Sequence, residues 1–251
     1  MSQLQALIFD VDGTLANTEG DGHRVAFNNA FVEAGLDWHW SIDLYGKILA
    51  IAGGKERIKF YLNQYQPEFK QDEDITDFIA HLHQLKTKYY LQLLEKGAIS
   101  LRPGVKRLIK EAKKEKIILA IATTTSLSNV IALLEKFLDL DWFEVIAAGD
   151  IVPAKKPAPD IYNYVLKKMN LLPENCLVFE DSDNGLQAAI QAGIKTIVTV
   201  NNYTKEQDFN QAILVLSNLG EPEQPLEIIQ GNLSNNNYVN IDSLRLLIAS
   251  H

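Results

Sequence analysis

Cysteine is nearly absent from this chain. Its single one, Cys176, has no partner for an internal disulfide, which points to a reducing compartment. Basic residues are also scarce, since 24 Lys and Arg face 32 Asp and Glu for a net charge of −8. That deficit speaks against nucleic acid or an anionic membrane as the defining partner, so any anion must be gathered by a local site. No apolar run reaches the roughly 18 residues that a membrane helix needs. The segment Met1-Ser2-Gln3-Leu4-Gln5 lacks the basic stretch and long apolar core of a secretory leader. A soluble, cytoplasmic monomer is expected. Asn202-Tyr203-Thr204 and Asn232-Leu233-Ser234 match the glycosylation acceptor pattern, which in that compartment is chance.

What is present is enough for a sizeable core: 251 residues, 47% of them hydrophobic and 22% charged. At roughly 150 residues per domain, this length suits one large domain or a core with a smaller module. Leu4 to Phe9 is a short apolar run that stops abruptly at acidic and glycine residues, as a buried strand of a parallel sheet does. Similar runs follow at Ile117 to Ala122, Val145 to Ala148, Cys176 to Phe179 and Ile194 to Val200. Between them lie helical stripes: Val105, Leu108, Ile109 and Ala112; Leu127, Val130, Ile131 and Leu134; Tyr162, Val165 and Met169. Strands alternating with helices predict an α/β fold, a Rossmann-like core with a central parallel sheet flanked by helices.

The first gap is too long. A crossover between parallel strands takes a dozen or so residues, yet about a hundred separate Phe9 from Ile117. An inserted helical unit is therefore expected at residues 17–98, with the core formed by 1–16 and 99–251. Phe27, Phe31 and Ala34, then Ile58 and Leu62, then Tyr90, Leu93 and Leu94 mark its apolar faces. The tail after Leu219, with Pro222, Pro225 and Asn235-Asn236-Asn237, reads as a surface wrap ending in a short helix near Leu244 to Ile248.

In an open parallel sheet, ligands sit beyond the carboxyl ends of the strands. Those ends deliver Asp10-Val11-Asp12-Gly13-Thr14, Thr123-Thr124-Thr125, Lys155-Lys156-Pro157 and Glu180-Asp181. Carboxylates this close repel by about 4 kcal/mol per pair at an effective dielectric near 20, so a divalent cation is implied. Oxygen-only ligands favour Mg²⁺, which uses one or two carboxylates, waters and a substrate phosphate. With Asp10 and Asp181 balancing the metal, Lys156 offsets part of a phosphate dianion, and the set selects a phosphoryl group.

The runs LIFDVDGT, LAIATTTS, KKPAPDIY and LVFEDSDNG resemble the four ordered motifs of the haloacid dehalogenase-like phosphohydrolases, over essentially the whole chain. The resemblance implies Asp10 as a nucleophile that forms an aspartyl-phosphate, with Asp12 protonating the leaving alkoxide and later activating water. It puts the family's hydroxyl on Thr123, with Thr124 beside it against the substrate, and its lysine on Lys156. It completes a magnesium site from Asp10, the Asp12 carbonyl, Glu180 and Asp181. The insertion resembles the helical cap of the branch holding β-phosphoglucomutase and the CbbY proteins. Such caps close over the site and read the substrate.

Within the cap, Gly53, Gly54, Lys55 and Arg57 place flexible backbone beside two cations, which suits a second anionic group. Glu19 and His23 are candidates to face the sugar. The likeness to CbbY proteins implies a phosphatase acting on a small sugar bisphosphate such as xylulose 1,5-bisphosphate. A sugar-phosphate mutase on the same scaffold and a non-catalytic regulatory protein are the competing readings. Motifs alone do not separate phosphatase from mutase. His81, His83, Trp38-His39-Trp40 and Cys176 read as packing or solvated residues and carry no site label.

Overall fold

The computed structural model describes residues 3–70, 74–234 and 237–250. Of the segments singled out above, Met1 and Ser2 and the tail residues Asn235 and Asn236 lie outside these. The chain divides into two compact units, Met1–Ala16 with Leu101–His251, and Asn17–Ser100.

The first unit begins with β1, Ala6–Phe9, buried at all four positions. A wholly apolar tetrapeptide can only be accommodated with both faces covered, which is the situation of a central parallel strand.

The second unit is helical. After a short π-helical turn at Glu19–His23 come α1 (Arg24–Glu33), α2 (Ile42–Ile48), α3 (Gly54–Tyr65) and α4 (Ile75–Glu95). Ser41 caps α2 by accepting from the Leu44 N–H at 3.2 Å, and Asp74 caps α4 by accepting from the Thr76 N–H at 2.7 Å. The core of this unit is aromatic. The fully buried Trp40 ring lies 4.6 Å from Phe27, 4.9 Å from Phe31 and 5.3 Å from Tyr61, centroid to centroid. Trp38 and Trp40 are thus packing residues, and their geometry is mostly the edge-on or tilted kind that aromatic quadrupoles favour.

Back in the first unit follow α5 (Val105–Lys114), β2 (Ile118–Thr123), α6 (Leu127–Phe137), β3 (Val145–Ala148), α7 (Asp160–Met169), β4 (Cys176–Glu180), α8 (Asp183–Gln191) and β5 (Lys195–Thr199). The chain closes with β6 (Leu214–Leu216), β7 (Ile228–Gln230) and α9 (Ile241–Ser250). The sheet order is β3-β2-β1-β4-β5-β6-β7. Every neighbouring pair is parallel except β6 with β7. The chain winds outward from β1 to β3 on one side and returns to β4 on the other. The order therefore reverses at β1, the switch point where an open parallel sheet places its ligands, beyond the carboxyl ends of β1 and β4. Register places Phe9 opposite Phe179, with rings stacked at 4.7 Å. The residues that follow, Asp10 and Glu180, consequently leave the sheet side by side.

Three expectations need adjusting. The sheet has two strands beyond the five legible in the sequence, β6 and β7, each only three residues long. Runs that short carry no period. The tail, read as a surface wrap, supplies β7 as well as the terminal helix α9. On α6 the buried stripe is Val130, Leu133 and Leu134 with Asn129, whereas Leu127 is 52% exposed. Leu127 is the first residue of α6, on its opening turn. The stripe on α5 is buried throughout, and so are Tyr162, Val165 and Met169 on α7. No described helix is long and apolar enough to cross a membrane.

Candidate active site

Asp10 follows directly on β1 and is 7% exposed. The chain then turns tightly. Gly13 N–H donates to the Ala16 carbonyl at 2.9 Å, and Leu15 N–H to the Val11 carbonyl at 2.9 Å. Gly13 has φ +85°, and a Cβ there would stand 2.2 Å from Asp181 Oδ2. Backbone freedom and the space under a neighbouring carboxylate both require glycine. Asp12, half-buried, pairs its backbone with Ala16 in an isolated bridge.

Lys156 is the hub. Its Nζ donates to Asp10 Oδ1 at 2.8 Å, to the Ala122 carbonyl at 2.8 Å and to Glu180 Oε1 at 2.5 Å. All three protons of the ammonium are used, so its position is set from three directions. Glu180, wholly buried, also accepts from Tyr162 Oη at 2.5 Å and, on Oε2, from the Asp181 N–H at 3.2 Å. Glu180 is thereby first an anchor for Lys156. Burial and the Glu180 charge push the Tyr162 hydroxyl well above its usual range, so it remains a donor at every physiological pH.

Asp10, Glu180 and Asp181 can offer ligand atoms that all lie within 4.8 Å of one another. Burial costs Asp10 its charge more than Lys156 returns, and the neighbouring Glu180 and Asp12 charges add to that, so its carboxyl is pushed up to about 8. The Lys156 ammonium is itself held above its ordinary value, because Asp10 and Glu180 together outweigh burial. One lysine therefore does not neutralise this acidic group. A hard divalent cation with oxygen ligands fits the donor set and would supply the missing charge.

Thr123 ends β2 and is 1% exposed, and its Oγ1 accepts from the Thr125 N–H at 3.3 Å, which leaves the hydroxyl proton to donate. Thr124 follows it, half-buried.

The helical unit gathers a second set. Tyr45 Oη donates to Glu19 Oε2 at 2.5 Å and accepts from Arg57 at 3.0 Å, and the guanidinium stacks 5.2 Å from the Tyr45 ring centre. Arg57 is 7% exposed, and its Nε has no hydrogen-bond partner among the described residues. Its other nitrogens donate to Tyr45 Oη and, at 3.3 Å, to the Ile51 carbonyl. His23 is buried and stacks on Tyr90 at 4.5 Å. Gly53, φ +95°, turns the chain into α3, and Gly54 lies so close to His83 that a Cβ would stand 2.8 Å from its ring. Lys55 is exposed on the first turn of α3.

The sequence reading passed over Tyr45, Arg102, Tyr162, Gly185 and Asn201. Tyr162 sits in an apolar stripe of the sequence, although a buried phenol needs an acceptor. Arg102 carried a weaker signal, a cation just before Pro103-Gly104 at a strand-free junction. Asn201 had none.

A profile of the haloacid dehalogenase-like hydrolases matches residues 4–193. The chain belongs to that family. It is 46% identical over 226 residues to protein CbbY of Cupriavidus necator, covering 89% of each chain. The crystal structure of CbbY from Rhodobacter sphaeroides in complex with phosphate superposes with a TM-score of 0.79 at 44% identity, covering 86% of this chain and 95% of that one. A mutant of the same protein, crystallised in complex with xylulose 1,5-bisphosphate, matches equally well, with a TM-score of 0.79, 44% identity and coverage of 86% and 95%. Phosphatases stand among its relatives, and this member of the family is accordingly an enzyme, a phosphatase.

Proposed function

We propose that this enzyme is a Mg²⁺-dependent phosphatase of a small sugar phosphate, a bisphosphate such as xylulose 1,5-bisphosphate, acting through an aspartyl-phosphate on Asp10. The carrying observation is the buried Asp10–Lys156–Glu180 cluster, with Asp181 completing an acidic trio. Such a set has no structural purpose that apolar residues would not serve at least as well. The sugar-bisphosphate complex of the CbbY relative supports the substrate class.

In this reading Asp10 attacks phosphorus and the sugar alkoxide leaves. Asp12, two residues on, donates the proton to that alkoxide and then takes one from the water that cleaves the acyl phosphate. Thr123 would donate to an equatorial phosphate oxygen, Lys156, held on Asp10, would offset part of the phosphate charge, and Thr124 would lie against the substrate. Asp10, the Asp12 carbonyl, Glu180 and Asp181 would hold Mg²⁺, which when bound keeps Asp10 ionised and offsets the charge of the transferring group. Splitting hydrolysis into two displacements at a preorganised positive site is where most of the acceleration arises. Glu19, His23, Gly53, Gly54, Lys55 and Arg57 would read the sugar and its second phosphate, with Tyr45 added to the set because it joins Glu19 to Arg57.

The test is inorganic phosphate release from xylulose 1,5-bisphosphate by the parent and by Asp10→Asn. The parent should turn over only with Mg²⁺ and carry trapped phosphate on quenching, and Asp10→Asn should do neither. Formation of an isomeric sugar phosphate without free phosphate would assign a mutase instead, and turnover by Asp10→Asn would remove the nucleophile.

A further inference from the structure

Asp181 is held in place by a residue from a distant loop. The Asn201 amide, just beyond β5, donates from Nδ2 to Asp181 Oδ2 at 2.6 Å. The amide cannot be turned over, because its Oδ1 already accepts from the Tyr203 N–H at 2.9 Å, while the Asn201 N–H donates to Thr204 Oγ1 at 3.1 Å. A donor is thus permanently presented to one carboxylate oxygen, and the Asp181 side chain loses its freedom to spin about Cβ–Cγ.

The backbone on either side is tied by one guanidinium. Arg102 is buried and donates to the Gly13 carbonyl, to Thr199 O at 2.9 Å, to Val200 O at 2.6 Å and to Ser217 O at 2.7 Å. It therefore clips the loop after β1 to the ends of β5 and β6, and Asn201 follows immediately on one of the clipped carbonyls. The planar fork of arginine suits several carbonyls at once, as a lysine could not. Gly13 completes the cradle, since its Cα lies beneath both Asp181 Oδ2 and Asn201 Nδ2, at distances that leave no room for a Cβ.

We propose that Asn201, on the backbone clipped by Arg102, is a positioning residue that fixes the orientation of Asp181 for cation binding. The inference rests on the cation site of the preceding section. Groups that orient metal ligands change metal affinity about 10–100-fold when lost, so Asn201→Ala should weaken Mg²⁺ binding by at least about tenfold. Raising Mg²⁺ should then restore kcat, because Asn201 does not touch the reacting atoms.

The experiment is a calorimetric titration of chelator-stripped full-length protein with MgCl₂, comparing the parent, Asn201→Ala, Thr204→Ala and Asp181→Asn, with circular dichroism to confirm folding. Thr204→Ala removes the loop's support for the Asn201 N–H but keeps the amide on Asp181, and should change affinity less than about twofold. Asn201→Ala binding like the parent, or Thr204→Ala losing as much as Asn201→Ala, overturns the proposal while leaving the cation site intact. A parent that binds no Mg²⁺, or an Asp181→Asn that binds as the parent does, removes the cation site and the proposal with it.

Discussion

The backbone at Gly185 passes directly under the carboxylate of Glu180: a Cβ at that position would stand 2.0 Å from Glu180 Oε2 and 2.2 Å from Oε1. The residue lies in the first turn of α8, where its N–H is capped by Ser182 Oγ at 3.2 Å, so the helix start and the anchor of Lys156 are packed as one piece. Gly185→Ala is predicted to force Glu180 off Lys156. Overpacking of this kind costs about 1–3 kcal/mol, and the displaced ammonium should lower kcat more than the substrate KM changes. Thermal unfolding and steady-state kinetics on the same sample check both. An alanine variant with parental kcat would mean that Glu180 can move without consequence.

Lys156→Ala leaves Asp10 and Glu180 buried without their cation. Breaking a buried pair by removing one partner costs about 3–5 kcal/mol, so stability should fall by that order and activity should vanish. Tyr162→Phe is the graded comparison. It removes one of the donors to Glu180 Oε1 and should cost about 1–3 kcal/mol, with partial activity retained. Urea unfolding of the two variants should rank them in that order.

The pH response follows from Asp10. Its carboxyl is pushed up to about 8 by burial against the offset of Lys156, above the roughly 3.9 of an unfolded aspartate. Between those limits the folded, metal-free protein holds a proton that the unfolded chain has released, so Asp10 makes stability fall as pH rises through that window. The parent in EDTA should therefore lose melting temperature between about pH 5 and pH 8 relative to Asp10→Asn. Excess Mg²⁺ should remove that difference by taking the proton's place. A parent whose melting temperature climbs over the same range relative to Asp10→Asn would contradict the assignment.

Lys55 is exposed on the first turn of α3, and under the proposed function it would read the second phosphate of a bisphosphate. Lys55→Ala should raise KM for a sugar bisphosphate about tenfold while changing KM for a monophosphate little. Equal effects on both substrates would end its role as a reader of the distal group.

Arg102→Lys keeps the charge of the clip but loses its planar fork. The loops after β1, β5 and β6 then lose shared donors, and buried carbonyls left unpaired cost about 1–3 kcal/mol each. A drop in melting temperature accompanied by weaker Mg²⁺ binding is expected, and parental values for both would show that the four contacts are dispensable.

The sequence by itself determined the α/β class, the buried central strand and which polar residues stand at the strand ends. Buried parallel strands are unbroken apolar runs, and polar residues begin where the sheet stops, so Asp10, Thr123 and Glu180-Asp181 announce themselves locally. The three-residue strands β6 and β7 escaped because they are shorter than any period. Only the tertiary structure decided the pairings. Lys156 reaches a carboxylate 146 residues away and another 24 residues away, Tyr162 turns from an apolar stripe to Glu180, and Asn201 finds Asp181 across two strand ends. Such partners are chosen by strand order and register, which arise from the whole chain closing on one core, and no local pattern encodes them.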